Sequence, residues 1–201
     1  MQKTNVIETH PFEPYLPSGA RLLFLGTFPP KPEKWSMEFF YPNKINDMWR
    51  IMGLLFFADR AHFWDTAERR FDMERIKAFL DKERIAMYDT AQRVRRLKDN
   101  ASDKFLEIVE PVNLDAMLSV CPGIEAVVTT GEKAATVVAQ LTGSELPRVG
   151  ECVEVMVACR MVRHYRMPST SRAYPLAMEK KAEFYRRMLI AEGVDGIGGE
   201  E

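Results

Sequence analysis

LLFLGTFPP, residues 22–30, is a short apolar run that ends at a glycine and passes into a loop stiffened by two prolines. Two similar runs lie at 85–88 and 126–129, and each ends at a polar residue or a turn. Segments with helical periodicity separate the three runs, which is typical of parallel strands joined by crossover helices. We therefore predict an α/β fold, a three-layer α/β/α sandwich with a short, mainly parallel central sheet of about four strands.

The rest of the apolar pattern gives the other elements. Helices are predicted where apolar residues recur every three or four positions, at 46–57, 67–82, 114–120, 132–141 and 175–191. Residues 153–158 and 161–167 are predicted strands, which form a hairpin or a bent edge and lead into the last core strand.

The composition indicates one domain. The chain has 201 residues, 46% of them hydrophobic, which is enough for one substantial core. We expect a single domain over residues 1–192 and a flexible, acidic, Gly-rich tail over 193–201 that buries nothing. Since no apolar run has the length of a signal core or a membrane span, we expect a cytoplasmic monomer that does not contact membranes.

Charge and cysteine content restrict the possible partners and cofactors. The formal net charge is −1, so the chain has no global basic field, and any contact with nucleic acid must come from local patches. Cys121, Cys152 and Cys159 are odd in number and lack the spacing of a zinc or iron–sulfur site. We expect buried free thiols and no metal or other cofactor.

Four segments that follow predicted strands carry the side chains of most interest. They are GTFPP (26–30), Asp89-Thr90, TTGEK (129–133) and MPSTSR (167–172). Because ligands of parallel sheets bind at the carboxyl ends of the strands, we expect these segments to surround one site.

Together with FFYPNKINDMW (39–49), these segments resemble, in content and in order, the uracil-DNA glycosylase superfamily. Its first motif, G-x-[ND]-P-[GY], is similar to GTFPP, and its second, which contains Pro-Ser, is similar to MPSTSR. The nearest subgroups are the hypoxanthine-type enzymes, with H-P-R-N-x-F-W, and the mismatch-specific thymine/uracil enzymes, with M-P-S-S-S. The resemblance implies a monofunctional glycosylase that flips out a deaminated base, hypoxanthine, xanthine or uracil, from DNA and excises it, leaving an abasic site.

The resemblance has one departure, at Phe28, which stands where most members carry the Asn or Asp that positions the hydrolytic water. Asn46 or Asn43 is the predicted replacement, although capping of the following helix explains Asn46 equally well. Asp89 is the predicted reader of the base edge, because a carboxylate accepts a hydrogen bond from a ring N–H. It is expected to suit the N1–H of hypoxanthine or xanthine better than the edge of uracil, which also needs a donor to O4. The alternative is that Asp89 caps the segment after it.

The other predicted site residues form two groups. The base pocket is predicted to include Gly26, Thr27, Phe28, Pro29, Phe39, Phe40 and Asp89. Phe39 or Phe40 is the predicted stacking partner of the base, although core packing is the usual role of a phenylalanine. The predicted DNA contacts are Thr130, Gly131, Lys133, Ser169, Thr170, Ser171, Arg172 and Arg93.

These DNA contacts rest on different arguments. Thr130 and Gly131 open a helix whose N–H groups, with Lys133, can hold a phosphate or can form a plain turn. Arg172 is expected to pair with a phosphate or to enter the space that the base vacates. Arg93 begins the basic run RVRRLK (93–98), although such runs are more often solvated faces.

Two rival functions remain open from the sequence. The first is a DNA-binding module on the same fold that lost its chemistry at Phe28. The second is a serine hydrolase that uses Ser169 or Ser171 with His164, which lacks the G-x-S-x-G elbow of such enzymes.

Overall fold

The computed structural model describes residues 6–97 and 105–198. Its strands are β1 (Ile7–Thr9), β2 (Leu22–Gly26), β3 (Trp64–Asp65), β4 (Arg70–Phe71), β5 (Ile85–Asp89), β6 (Ala91–Arg96), β7 (Leu106–Pro111), β8 (Ala126–Thr130), β9 (Cys152–Val157) and β10 (Arg160–Met167). Its α-helices are α1 (Met48–Phe57), α2 (Met73–Glu83), α3 (Leu114–Val120), α4 (Glu132–Thr142) and α5 (Met178–Ala191), and a 3-10 turn covers Pro32–Lys34.

The central sheet has five strands in the order β5-β2-β8-β10-β9. The first four are parallel neighbours, and β9 pairs with β10 in antiparallel fashion at the edge. The mixed α/β class and the mostly parallel sheet are confirmed, but the predicted size of about four strands is one too few. The extra strand is β9, which the tight turn at Ala158 and Cys159, both with positive φ, folds back onto β10.

Every residue of β2, β5 and β8 is buried, because helices cover both faces of the parallel part of the sheet. The chain crosses from β2 to β5 in one direction and from β8 to β10 in the other. Right-handed crossovers in opposite directions assign α1 and α2 to one face and α4 to the other. The ends of four parallel strands therefore open together at one edge.

The helices differ from the predicted ranges mainly at their starts. The prediction over 67–82 is wrong before Met73, because β3 and β4 form a small hairpin there. The helix begins only where Asp72 caps it by accepting from the Arg75 N–H at 3.0 Å. Similarly, α1 and α5 begin a turn or less inside their predicted ranges.

A second, antiparallel sheet was not predicted. It has the order β1-β6-β7, and its small core of Ala91, Val94 and Leu106 packs against Phe28. The basic run that begins at Arg93 lies on β6 as far as Arg96, and Lys98 lies outside the described residues. Only two apolar side chains of β6 are buried, which is too weak a pattern to indicate a strand.

The end of the chain packs against the domain as far as it is described. Val194 and Ile197 contact the main core, and the Gly198 N–H donates to the Leu55 carbonyl at 2.8 Å. The prediction that this segment buries nothing is therefore wrong for 193–198. Within 6–97 and 105–198, no helix is both long and apolar enough to cross a membrane.

Candidate active site

The predicted segments meet around one pocket at the carboxyl ends of β2, β5, β8 and β10. This central pocket has a volume of about 140 Å3. It is lined by Gly26, Thr27, Phe28, Pro29, Pro30, Tyr41, Pro42, Asn43, Asn46, Asp89, Thr130, Ser169, Thr170 and Ser171. Most of the residues proposed from the sequence are thus neighbours in space.

Asp89 ends β5 at the wall of the central pocket and is buried. Its Oδ2 lies 2.9 Å from His10 Nε2, and an ionised carboxylate only accepts, so the imidazole is the donor. His10 Nδ1 is held in turn by the backbone of Phe12, at 3.1 Å from its N–H and 2.8 Å from its carbonyl. Asp89 is therefore fixed by a buried histidine from the N-terminal segment, and it does not cap the residues that follow it.

The second oxygen of Asp89 lies over Gly26. A Cβ built on Gly26 would stand 2.4 Å from Asp89 Oδ1 and 3.3 Å from the Tyr41 hydroxyl. Glycine is thus required at the end of β2 to leave room for the carboxylate. In the part of the chain that the structure describes, His10 is the only residue hydrogen-bonded to the Asp89 carboxylate, so Oδ1 keeps its acceptor capacity.

Two tyrosines, Tyr41 and Tyr88, lie near the carboxylate of Asp89. The Tyr41 hydroxyl lies 2.8 Å from Thr130 Oγ1, which ties the segment after Phe40 to the end of β8. Burial, and to a smaller extent the charge of Asp89, raise the pKa of Tyr88 to about 12. Tyr88 therefore stays neutral beside the carboxylate at physiological pH.

Phe28 occupies the pocket wall where the superfamily motif carries Asn or Asp. Its ring stands edge-on to His10, with 5.3 Å between the ring centroids, and the Arg96 guanidinium lies 5.5 Å from its centroid. Arg96 is itself buried, paired with Glu8 at 2.9 Å and bonded to the Pro29 carbonyl at 2.8 Å. The loop after β2 is therefore anchored on the second sheet.

Asn46 and Asn43 both line the central pocket. Asn46 Oδ1 accepts from the Met48 N–H at 2.9 Å, but the N-cap of α1 is Asp47, one residue after the predicted capping position. Asn43 Oδ1 accepts from the Ile45 N–H at 3.1 Å in a local turn. Each amide keeps a second lone pair and an NH2 group for another partner.

The loop after β10 forms another part of the wall of the central pocket. Ser169 Oγ accepts from the Ser171 N–H at 3.2 Å, and its Cβ would stand 3.3 Å from a Cβ on Gly131. Gly131 has φ 109°, a conformation that favours glycine, and this lets the start of α4 approach the Ser169 loop. The Gly131 N–H donates to the Met167 carbonyl at 3.0 Å. This donor of the predicted phosphate site is therefore already hydrogen-bonded within the protein.

A buried ion pair fixes that loop to α1. Lys181 Nζ, on α5, lies 2.9 Å from Asp47 Oδ2 and donates to the Ser171 carbonyl at 2.8 Å. Asp47 also donates its N–H to the Thr170 carbonyl at 2.9 Å. Arg172 lies 3.4 Å from the other Asp47 oxygen, and its side chain is 57% exposed.

Six predicted site residues do not line the central pocket, namely Gly131 and Arg172, described above, and Phe39, Phe40, Lys133 and Arg93. Phe39 and Phe40 are buried in the core among Tyr15, Trp49 and Tyr88, so the prediction that one of them stacks on a base is wrong in this arrangement. Lys133 donates to the Leu106 carbonyl. Arg93 lies on the second sheet, 3.5 Å from Glu110.

The serine hydrolase alternative loses its base. His164 is fully buried in the sheet, 3.1 Å from Thr129 Oγ1, and burial lowers its pKa to about 4. Among the described residues, neither Ser169 nor Ser171 hydrogen-bonds a histidine. No group of three His, Cys, Asp or Glu side chains in the same part of the chain is placed to hold a metal ion. The three cysteines are free, but the prediction that they are buried is wrong, because Cys152 and Cys159 lie exposed at the edge hairpin and Cys121 is half-buried.

Comparison with known proteins adds a fold-level likeness. No model of a known protein family matches the chain, and no curated protein sequence matches it. Among solved structures it is similar to a protein from Methanosarcina acetivorans, whose solution NMR structure is titled as that of "a putative Uracil DNA glycosylase". The TM-score is 0.59 at 18% identity, over 91% of this chain and 99% of that one. At this level of identity, the likeness shows a shared fold.

Proposed function

We propose that this protein is a monofunctional DNA N-glycosylase, which binds a flipped-out deaminated base in the central pocket and hydrolyses its N-glycosidic bond. The observation that carries the proposal is the arrangement at the sheet edge. Four strand ends and the segment before α1 enclose one small pocket, and a buried carboxylate at its wall keeps one oxygen available. A flipped base is held in such a pocket by contacts to its ring edge and its faces.

The size of the central pocket suits a single ring. Its volume of about 140 Å3 is close to that of cavities of about 150 Å3 that accept one benzene molecule. A pyrimidine such as uracil therefore fits inside, and a purine such as hypoxanthine leaves its second ring at the opening. Phe28 and Tyr41 are the aromatic side chains of the wall.

Asp89 supplies a chemical reason for preferring deaminated bases. Uracil at N3 and hypoxanthine at N1 carry a ring N–H, whereas cytosine and adenine carry a lone pair at the same nitrogens. An ionised carboxylate accepts from the first pair and repels the second. Xanthine also carries a ring N–H, but so does guanine, so Asp89 selects uracil and hypoxanthine most sharply against their parent bases.

Asn46 is the best placed residue to hold the hydrolytic water. Its Oδ1 is oriented by the Met48 N–H, and Asn46 lines the same pocket as Asp89. Asn43 is the second candidate, since it lines the same pocket. In the reaction the C1′–N bond breaks with its electron pair going to the base, and the water oxygen bonds to C1′. The water loses one proton to solvent, and the departing base takes up one proton from solvent.

The backbone of the flipped nucleotide is expected to rest on the Ser169 loop, where Ser169, Thr170 and Ser171 line the pocket. Of the described residues that line the central pocket, none is a lysine, which favours a water-mediated reaction over a Schiff base. The product is then an abasic site. We expect the enzyme to work as a cytoplasmic monomer without a metal.

The test is a single-turnover assay with labelled DNA that contains one uracil, hypoxanthine or xanthine, in duplex and in single strands. Alkali cleaves the strand wherever a base was removed, and the proposal predicts cleavage at uracil or hypoxanthine. Tight binding of these DNAs without cleavage would replace the enzyme with a binding module that has lost its chemistry at Phe28. Asp89→Ala should lose the preference for bases with a ring N–H.

A further inference from the structure

A second, larger cavity is lined by Asp47, which follows Asn46 of the central pocket in the chain. It has a volume of about 450 Å3. Its charged wall consists of Arg50, Arg60, Arg172, Lys181, Asp47 and Glu179. We call this cavity the arginine pocket.

The positive charge of the arginine pocket is not neutralised within the described chain. Four cations face two carboxylates there, and Asp47 is already engaged by the buried Lys181 at 2.9 Å. Among the described residues, no carboxylate lies within ion-pair distance of Arg50 or Arg60. Since the whole chain has a net charge of −1, this local excess is specific to the cavity.

Arg50 is held in place before any ligand arrives. Its NH1 donates to the Asn46 carbonyl at 2.9 Å, and its guanidinium lies 5.4 Å from the centroid of Phe71 and 5.8 Å from that of Trp64. Burial, followed by the charges of Arg172 and Arg60, lowers the pKa of Arg50. The positive charges of three arginines are thus held close together, and a bound anion would reduce the repulsion between them.

A groove of about 470 Å3 leads from the central pocket towards this site. Asn46, Ser169 and Ser171 line both the groove and the central pocket, and Arg172 lines both the groove and the arginine pocket. One strand could therefore lie along the groove with a base in the first pocket and its backbone at the second.

We propose that the arginine pocket binds a phosphate group of the DNA backbone, on the strand that carries the flipped nucleotide. Guanidinium groups bind phosphate oxygens through paired N–H donors, which suits Arg60 and Arg172 on the open side and Arg50 behind them. The identity of the phosphate-bearing molecule rests on the proposed function. The pocket's affinity for phosphate does not.

Arg60→Gln is the main test variant, because Arg60 is exposed and makes no ion pair in the described chain. Arg84→Gln is the matched control, since Arg84 is an exposed arginine beside β5's first residue, at the opposite end of the sheet. Both variants should keep the wild-type melting temperature. Binding is measured by anisotropy with a labelled, undamaged single strand over a series of salt concentrations, so the result does not depend on excision.

We expect Arg60→Gln to reduce the slope of log K against log salt by about 0.7 unit, the value for one contact to single-stranded DNA, and Arg84→Gln to leave it unchanged. In a scan with single neutral methylphosphonates beside a fixed uracil or abasic analogue, wild type should lose affinity at one position. Arg60→Gln should be insensitive at that position, because the contact is already absent.

Equal slopes and equal scans for wild type and Arg60→Gln would overturn the proposal, as would failure of wild type to bind the strand. Inorganic phosphate and pyrophosphate form a separate arm. If either binds wild type as tightly as the strand does, and Arg60→Gln loses it, the pocket serves a free phosphate and the DNA assignment is wrong. If excision fails for every deaminated base while the Arg60 results hold, the proposed reaction fails and the phosphate site stands.

Discussion

Asp89 in the central pocket and Asp47 in the arginine pocket are both buried, but their oxygens are used differently. Asp47 faces Lys181 with one oxygen and Arg172 with the other, and its backbone N–H holds the Ser169 loop. The carboxylate of Asp89 has one hydrogen-bond partner among the described residues, His10, and keeps Oδ1 over Gly26 at the pocket wall. The difference teaches that a buried carboxylate with both oxygens engaged supports the fold, whereas one with a spare acceptor is available to a ligand.

The largest effect should come from Asp47. Asp47→Ala would leave the ammonium of Lys181 buried without a counter-charge, and breaking such a pair typically costs about 3–5 kcal/mol of unfolding free energy. Urea denaturation measures the loss. Removing both partners, with Asp47→Ala and Lys181→Met, should cost less than the sum of the single changes. A wild-type midpoint for Asp47→Ala would show that the pair does not support the fold.

Asn46 stands next to Asp47 and should respond in the opposite way. If it holds the water, Asn46→Ala lowers the single-turnover rate by about two to three orders of magnitude, as is common when an oriented polar group is lost. The lost hydrogen bond to the Met48 N–H should cost only about 1 kcal/mol of stability. Asn43→Ala is the matched control. If Asn43→Ala produces the loss of rate and Asn46→Ala does not, the two roles are exchanged.

Asp89→Ala should destabilise the protein less than Asp47→Ala does. It leaves the buried His10 N–H without an acceptor, and such an unsatisfied donor costs about 1–3 kcal/mol. Urea denaturation of the two variants under the same conditions tests the order. A larger loss for Asp89→Ala would mean that Asp89 is the structural carboxylate of the two.

The smallest effect is expected at Arg93, which the sequence placed among the DNA contacts. Its exposed ion pair with Glu110 is worth about 0–1 kcal/mol, and it lies on the second sheet away from both pockets. Arg93→Ala should therefore leave stability, DNA affinity and its salt dependence close to those of wild type. A loss of affinity comparable to that of Arg60→Gln would extend the DNA surface to the second sheet.

The sequence predicted the elements with local patterns and missed the partners that are distant along the chain. Gly26, Asp89, Gly131 and Ser169 come together because strand ends share one edge, and an alternating pattern of strands and helices is enough to predict that. His10 could not be found in this way. It lies 79 residues from Asp89 in a segment without periodicity, and only the folded chain shows the contact.

The same reason explains the errors at the aromatic and basic residues. In the sequence, Phe39 and Phe40 look the same as phenylalanines that stack on a base. Only the packing shows that both lie in the core, whereas Tyr41 lines the pocket. Arg96 belongs to a basic run, which normally indicates a solvated face. Its side chain is nevertheless buried, and it pairs with Glu8 and donates to the Pro29 carbonyl. Burial and pairing of this kind depend on tertiary contacts.

The central claim, that the free oxygen of Asp89 reads a ring N–H, is tested most directly with methylated bases. Single-turnover excision is measured for uracil and 3-methyluracil, and for hypoxanthine and 1-methylhypoxanthine, in otherwise identical DNA. Wild type should excise the unmethylated member of a pair and reject the methylated one, whereas Asp89→Ala should be slow on both and show a ratio near one. Equal excision of both members by wild type, or a preference that survives in Asp89→Ala, would contradict the claim.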